Sequence, residues 1–152
     1  MKKILIIEDD QKVALALEIR FTANGYETVR ACDAIMGSNL ALSATPDLII
    51  LDISLPGGNG LKLAEQFKHQ PETRSTPIIF VTASKEPALR QRAMEMRIAG
   101  LIDKPYDPEE LLGIARFALG ENGSLPPQPA TPTALRQVNL PAQQIQRLRR
   151  ES

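Results

Sequence analysis

The chain has 152 residues, of which 43% are hydrophobic, enough for one domain with a real core and a short appendage but not for two full domains. Eighteen basic side chains balance 18 acidic ones, so the chain as a whole offers no electrostatic footprint for nucleic acid or an anionic membrane. A lone cysteine, Cys32, excludes an intramolecular disulfide framework and a cysteine-built zinc site; it reads as a small packing residue.

Residues 1–7 hold two lysines and a short apolar run that stops at Glu8, too little for a signal peptide or a membrane span, and a cytoplasmic location is expected. Ile4 to Ile7 then forms the first of three continuous apolar runs; Leu48 to Leu51 and Ile78 to Val81 are the others. Such runs suit central parallel strands covered on both faces. The segment 27–31 is more polar and alternating, and Leu101 with Ile102 is very short, so each belongs at a sheet edge. Helical patterns fill the intervals: 11–24 up to Gly25, 34–43, 61–69, 87–99 up to Gly100, and 108–119 up to Gly120. The last has the clearest start, with Asp107 as N-cap, Pro108 in the first turn and Glu110 at the capping-box position. Five βα units with right-handed crossovers imply a doubly wound parallel sheet of order 2-1-3-4-5.

The chain changes character at Gly120. Pro126, Pro127, Pro129, Pro132 and Pro141 all fall after it, so the domain is expected over 1–119 and a proline-rich linker or tail over 120–152. Leu140, Gln144, Ile145 and Leu148 lie at helical spacing there, with Arg147, Arg149 and Arg150 beside them; a disordered extension or linker is preferred over a recognition helix.

Open parallel sheets bind ligands at the carboxyl ends of their strands, and those ends are chemically loaded. The first strand runs into Glu8-Asp9-Asp10, the third ends at Asp52, the fourth at Thr82, and the fifth leads into Asp103-Lys104-Pro105. Adjacent strands stand about 4.8 Å apart, so Asp9 and Asp52 can share one ion and the long Lys104 side chain can reach across. Carboxylates held that close repel, and protonation or a cation relieves them. Oxygen-only ligands point to Mg2+, which takes one or two carboxylates with water and phosphate oxygens. Asp52 could then act as a nucleophilic carboxylate, while Lys104 offsets charge and Thr82 donates a hydrogen bond. Solvated loop charge, with Asp10 as an ordinary helix cap, would explain one cluster but not all four.

These stretches resemble the response-regulator receiver domain of two-component signalling: Ile4 to Asp10, Leu51-Asp52-Ile53-Ser54-Leu55-Pro56 with Gly60, Phe80-Val81-Thr82-Ala83, and Lys104-Pro105-Tyr106. Together they cover 1–119 in the family's order and spacing. The resemblance implies a flavodoxin-like (βα)5 fold, with Asp52 as phosphoacceptor and Glu8, Asp9, Asp52 and the Ser54 carbonyl as Mg2+ ligands. Thr82 and Lys104 would complete the phosphoryl site, and the bond before Pro105 is often cis in the family. It implies further a sensor histidine kinase or phosphotransfer protein as donor, and a downstream partner or a second copy of the chain bound through the fourth helix, fifth strand and fifth helix. The domain would catalyse only its own phosphorylation and dephosphorylation.

Departures from the family pattern are specific. Leu101 stands where the family's switch uses Tyr or Phe, so the loop after Thr82 is expected to report phosphorylation in place of a ring. Asp103 is unusual beside Lys104, and strand alternation directs it away from the pocket. Ser54 and Ser84, at positions that influence acyl-phosphate hydrolysis in the family, are small and neutral. Ser54 also stands where aspartate-nucleophile phosphohydrolases carry a second Asp as general acid, which argues against turnover on an external substrate. Two alternatives stay open: a phosphate-independent scaffold, and the receiver half of a longer DNA-binding regulator. The segment 56–60 lacks the ending of a P-loop and reads as a turn; His69 reads as a surface residue. Leu89, Ala93 and Met96, with Leu101 and Ile102, serve either as a docking face or as core.

Overall fold

A computed structural model describes residues 1–56 and 60–121. The five elements expected as strands form one parallel sheet: β1 (Lys3–Ile7), β2 (Glu27–Ala31), β3 (Leu48–Asp52), β4 (Ile78–Thr82) and β5 (Gly100–Asp103), in the order β2-β1-β3-β4-β5. Between and after them run α1 (Gln11–Ala23), α2 (Ala34–Ser43), α3 (Gly60–His69), α4 (Pro87–Met94) and α5 (Pro108–Ala118). The flavodoxin-like receiver fold is therefore present. The tail from residue 122 onward, with its candidate helix, lies outside the described residues.

Strand alternation divides the core in two. Leu5, Ile7, Ile49, Leu51, Phe80 and Leu101 pack on one face of the sheet with Ala41, Ala64, Phe67 and Ala93 of α2, α3 and α4. Ile4, Ile6, Ile50, Ile79, Val81 and Ile102 pack on the other with Ala14, Leu17 and Phe21 of α1 and Leu111, Leu112 and Ile114 of α5. β3 and β4 are buried at every position, which is why they read as unbroken apolar runs. β2, at the edge, buries only Ala31 fully.

Three helices begin on an aspartate whose carboxylate accepts from backbone amides of the first turn: Asp10 from Lys12 and Val13, Asp33 from Met36, and Asp107 from Glu109. The bland reading of Asp10 as a cap thus holds. α4 starts at Pro87 as expected, with Glu86 as an N-cap that makes no side-chain hydrogen bond, but it ends at Met94, well short of residue 99. Arg97 has φ 55°, a left-handed conformation that terminates helices, and the Ala99 amide already donates to Ile78 O at 2.7 Å. Extending α4 to 99 would cost that sheet bond. The Lys104–Pro105 peptide is cis.

Candidate functional site

The site is assembled by register. β1 pairs with β3, β3 with β4 and β4 with β5, so that Asp52 lies beside Val81, and Thr82 beside Asp103. Each strand's last residues reach the same sheet edge. Glu8 follows β1 and is anchored by its amide, which donates to Ala31 O of β2 at 3.0 Å. It is 4% exposed and Asp52 5%, whereas Asp9 is exposed. One oxygen from each of Glu8, Asp9 and Asp52 lies within 4.8 Å of the others.

Lys104 closes this cluster. Its Nζ donates to Glu8 Oε1 at 2.5 Å and to Asp52 Oδ2 at 3.2 Å. The second Asp52 oxygen, Oδ1, accepts from the Ser54 amide at 2.9 Å, and Glu8 Oε2 accepts from the Asp10 amide at 3.3 Å. Every oxygen of the two buried carboxylates is thus occupied by a donor, which burial of charge requires. One lysine nonetheless faces two acids. Burial, followed by the hydrogen bond and charge of Asp52, pushes the Glu8 carboxyl up to about 7 despite Lys104. On Lys104 burial acts downward, but Glu8 and Asp52 outweigh it and hold the ammonium above its ordinary value. This oxygen-only, over-acidic donor set fits Mg2+, a hard cation that would supply the missing positive charge.

Thr82 is fully buried, its Oγ1 accepts from the Ser84 amide at 2.9 Å, and its carbonyl accepts from the Lys104 amide at 2.8 Å. Thr82 and Lys104 are therefore linked through backbone as well as by position. Tyr106, half-buried beside Lys104, is pushed up to about 12, chiefly by burial; its phenol stays protonated.

Other sequence-stated residues fall outside the cluster. Asp103 turns away, as alternation requires, and its carboxylate is paired with Arg90 of α4 and with Lys85 Nζ at 3.6 Å. That partnership was not visible in sequence, because nothing in the spacing of residues 85, 90 and 103 marks it. Leu101 and Ile102 are 1% and 4% exposed, Ala93 is fully buried, and Leu89 and Met96 pack against the core. Leu101, Ile102 and Ala93 thus belong to the core, while Leu89 and Met96 are only partly buried against it. Among the described residues the exposed large apolar side chains other than Met1 lie on α1 and α2: Leu15, Ile19, Ile35, Met36 and Leu42. His69 is exposed, with Nδ1 2.7 Å from Glu65 O, a surface residue remote from the site. Among the described residues no helix is long and apolar enough to cross a membrane.

The family model of the response regulator receiver domain matches residues 4–116, and the chain belongs to that family. It is 39% identical over 119 residues to Response regulator ArlR of Staphylococcus aureus, an alignment that covers 78% of this chain and 53% of the relative. The chain spans about half the length of the curated relatives it matches. Among solved structures it resembles a CheY-like receiver domain protein from Methanospirillum hungatei, with a TM-score of 0.75 and 25% identity over 79% of this chain and 94% of that one. It also resembles the chemotaxis response regulator CheY4 of Vibrio cholerae, at 0.72 and 26% over 78% and 98%. A third likeness is the receiver domain of the sensor histidine kinase PA1611 of Pseudomonas aeruginosa, at 0.72 and 25% over 79% and 98%, solved with a magnesium ion coordinated in its active-site cleft.

Proposed function

We infer that this receiver domain is a phosphorylation switch in which Asp52 accepts a phosphoryl group from a histidine kinase or phosphotransfer protein. The observation that carries the reading is the buried Glu8–Lys104–Asp52 arrangement with Asp9 alongside. An Asp52 carboxylate oxygen attacks phosphorus, the donor's P–N bond breaks, and the histidine leaves with the electron pair while an acyl phosphate forms on Asp52. Mg2+, held by Glu8, Asp9, Asp52 and the Ser54 carbonyl, would offset charge on the carboxylates and the phosphoryl oxygens. Lys104 is already within reach of Asp52 Oδ2 and can turn its ammonium to the new group; Thr82 can donate its hydroxyl to a phosphoryl oxygen. Water released into the same site would hydrolyse the acyl phosphate, so the domain acts only on its own phosphate, in the cytoplasm.

The output surface is α4, β5 and α5, which binds a downstream protein or a second copy, and 1–119 is the switch while 120–152 is a linker or tail. The half-length match to ArlR favours a second reading at the level of the gene, in which this chain is the receiver part of a longer regulator. Binding of nucleic acid would then belong to the missing part. Intact-mass spectrometry after incubation with Mg2+ and acetyl phosphate tests the chemistry: one phosphoryl group is expected on the wild type and none on Asp52→Asn. No added mass on either protein, with the donor unconsumed, would leave a phosphate-independent scaffold.

A further inference from the structure

Asp103 and Thr82 are ladder partners on β5 and β4, and partners in a parallel pair project to the same face. That face is the one on which Phe80 and Leu101 pack against α4. Thr82 turns its hydroxyl to the Ser84 amide; Asp103 turns its carboxylate to the segment that follows. Arg90 Nη1 and Nη2 donate to its two oxygens, and Lys85 Nζ lies 3.6 Å from Oδ1. One carboxylate on β5 therefore grips both the loop after Thr82 and the first turns of α4. This grip replaces a missing one, since α4 alone among the helices with a described N-cap begins without a side-chain hydrogen bond at its cap. Arg90 and Asp103 are only 21% and 28% exposed, so solvent screens the pair less than a surface one. Burial acts upward on the Asp103 carboxyl, yet Arg90 and Lys85 bring it below its ordinary value, and the ion pair persists at neutral pH.

We propose that Asp103 is a positioning residue whose ion pairs with Arg90 and Lys85 hold the β4–α4 segment, and with it the Thr82 hydroxyl, in the phosphate-free arrangement. The proposal rests on Asp52 being the phosphoacceptor. A phosphoryl group that draws Thr82 toward itself moves the chain at Ser84 and Lys85, and that motion stretches the Asp103 pairs. Loosening them should therefore speed the switch and leave the fold intact.

The test uses the full chain and the conservative variants Asp103→Asn and Arg90→Gln. Each should raise the rate of phosphorylation by acetyl phosphate about threefold, a factor in keeping with a partly exposed ion pair, and the double variant should add nothing further. Raising ionic strength should speed the wild type and leave Asp103→Asn flat. Hydrogen exchange at the Ser84 amide, measured without any donor, should be faster in Asp103→Asn. Unchanged exchange at Ser84, or a rate equal to or below wild type in a folded variant, overturns the proposal. If the wild type takes no phosphate while Ser84 exchange still rises in Asp103→Asn, the phosphoacceptor reading has failed and the grip itself has not.

Discussion

Burial and the neighbouring Asp52 act together on Glu8. Its carboxyl titrates near 4.5 in an unfolded chain and about 7 in the fold, raised first by burial and then by Asp52. The folded state thus holds this proton more tightly than the unfolded state does. The stability contributed is full below 4.5 and is lost as pH rises through about 7. Urea unfolding at a series of pH values, without divalent metal, should show the wild type losing stability across that window and Glu8→Gln losing less. Parallel profiles for the two proteins would contradict the assignment. Mg2+ should restore the wild type at the alkaline end, because a ligand that binds only the folded state stabilises it by mass action.

At the scale of elements, the entry to α3 is held against the strand that carries Asp52. The Gly60 amide donates to Ile53 O at 2.8 Å, and a Cβ on Gly60 would stand 2.4 Å from the Asp52 carbonyl oxygen and 2.8 Å from Ile53 Cα. Both are backbone atoms, so the chain at Asp52 has to move. Gly60→Ala should cost about 1–3 kcal/mol in urea unfolding and slow phosphorylation. Gly37→Ala meets the Ile7 side chain at 2.8 Å, which can rotate away, and should cost less. Equal costs would show that the backbone contact at Asp52 is not limiting. The elements themselves were legible wherever local chemistry decides them: apolar runs for β1, β3 and β4, and the Asp107-Pro108 start of α5. α4 ends earlier than its helical pattern suggests because a tertiary hydrogen bond, Ala99 to Ile78, competes with the helix. No pattern in residues 94–99 announces that competition.

For the whole molecule, the parallel order places four loaded strand ends side by side, and this much follows from sequence alone because right-handed crossovers leave few arrangements. Contacts between strand ends and helices were less legible. The direction of Asp103 follows from alternation, but Arg90 as its partner follows only from where α4 packs. Lys104 reads in sequence as offsetting charge on the transferring phosphoryl group; in the fold its Nζ bridges both acids and lies nearer Glu8 than Asp52, although β1 stands one strand farther from β5 than β3 does. Net neutrality of the chain is likewise compatible with a strongly acidic local site.

The central claim is that phosphoryl transfer ends on Asp52 and on no other acid of the cluster. Borohydride reduction of protein treated with acetyl phosphate and Mg2+ converts an aspartyl phosphate to homoserine, and peptide mass mapping locates the product. Homoserine at position 52, absent when Mg2+ is chelated, is the predicted result. Homoserine at position 9, 5-hydroxynorvaline (the alcohol from a reduced glutamyl phosphate) at position 8, or neither in protein that has consumed the donor, would contradict the account.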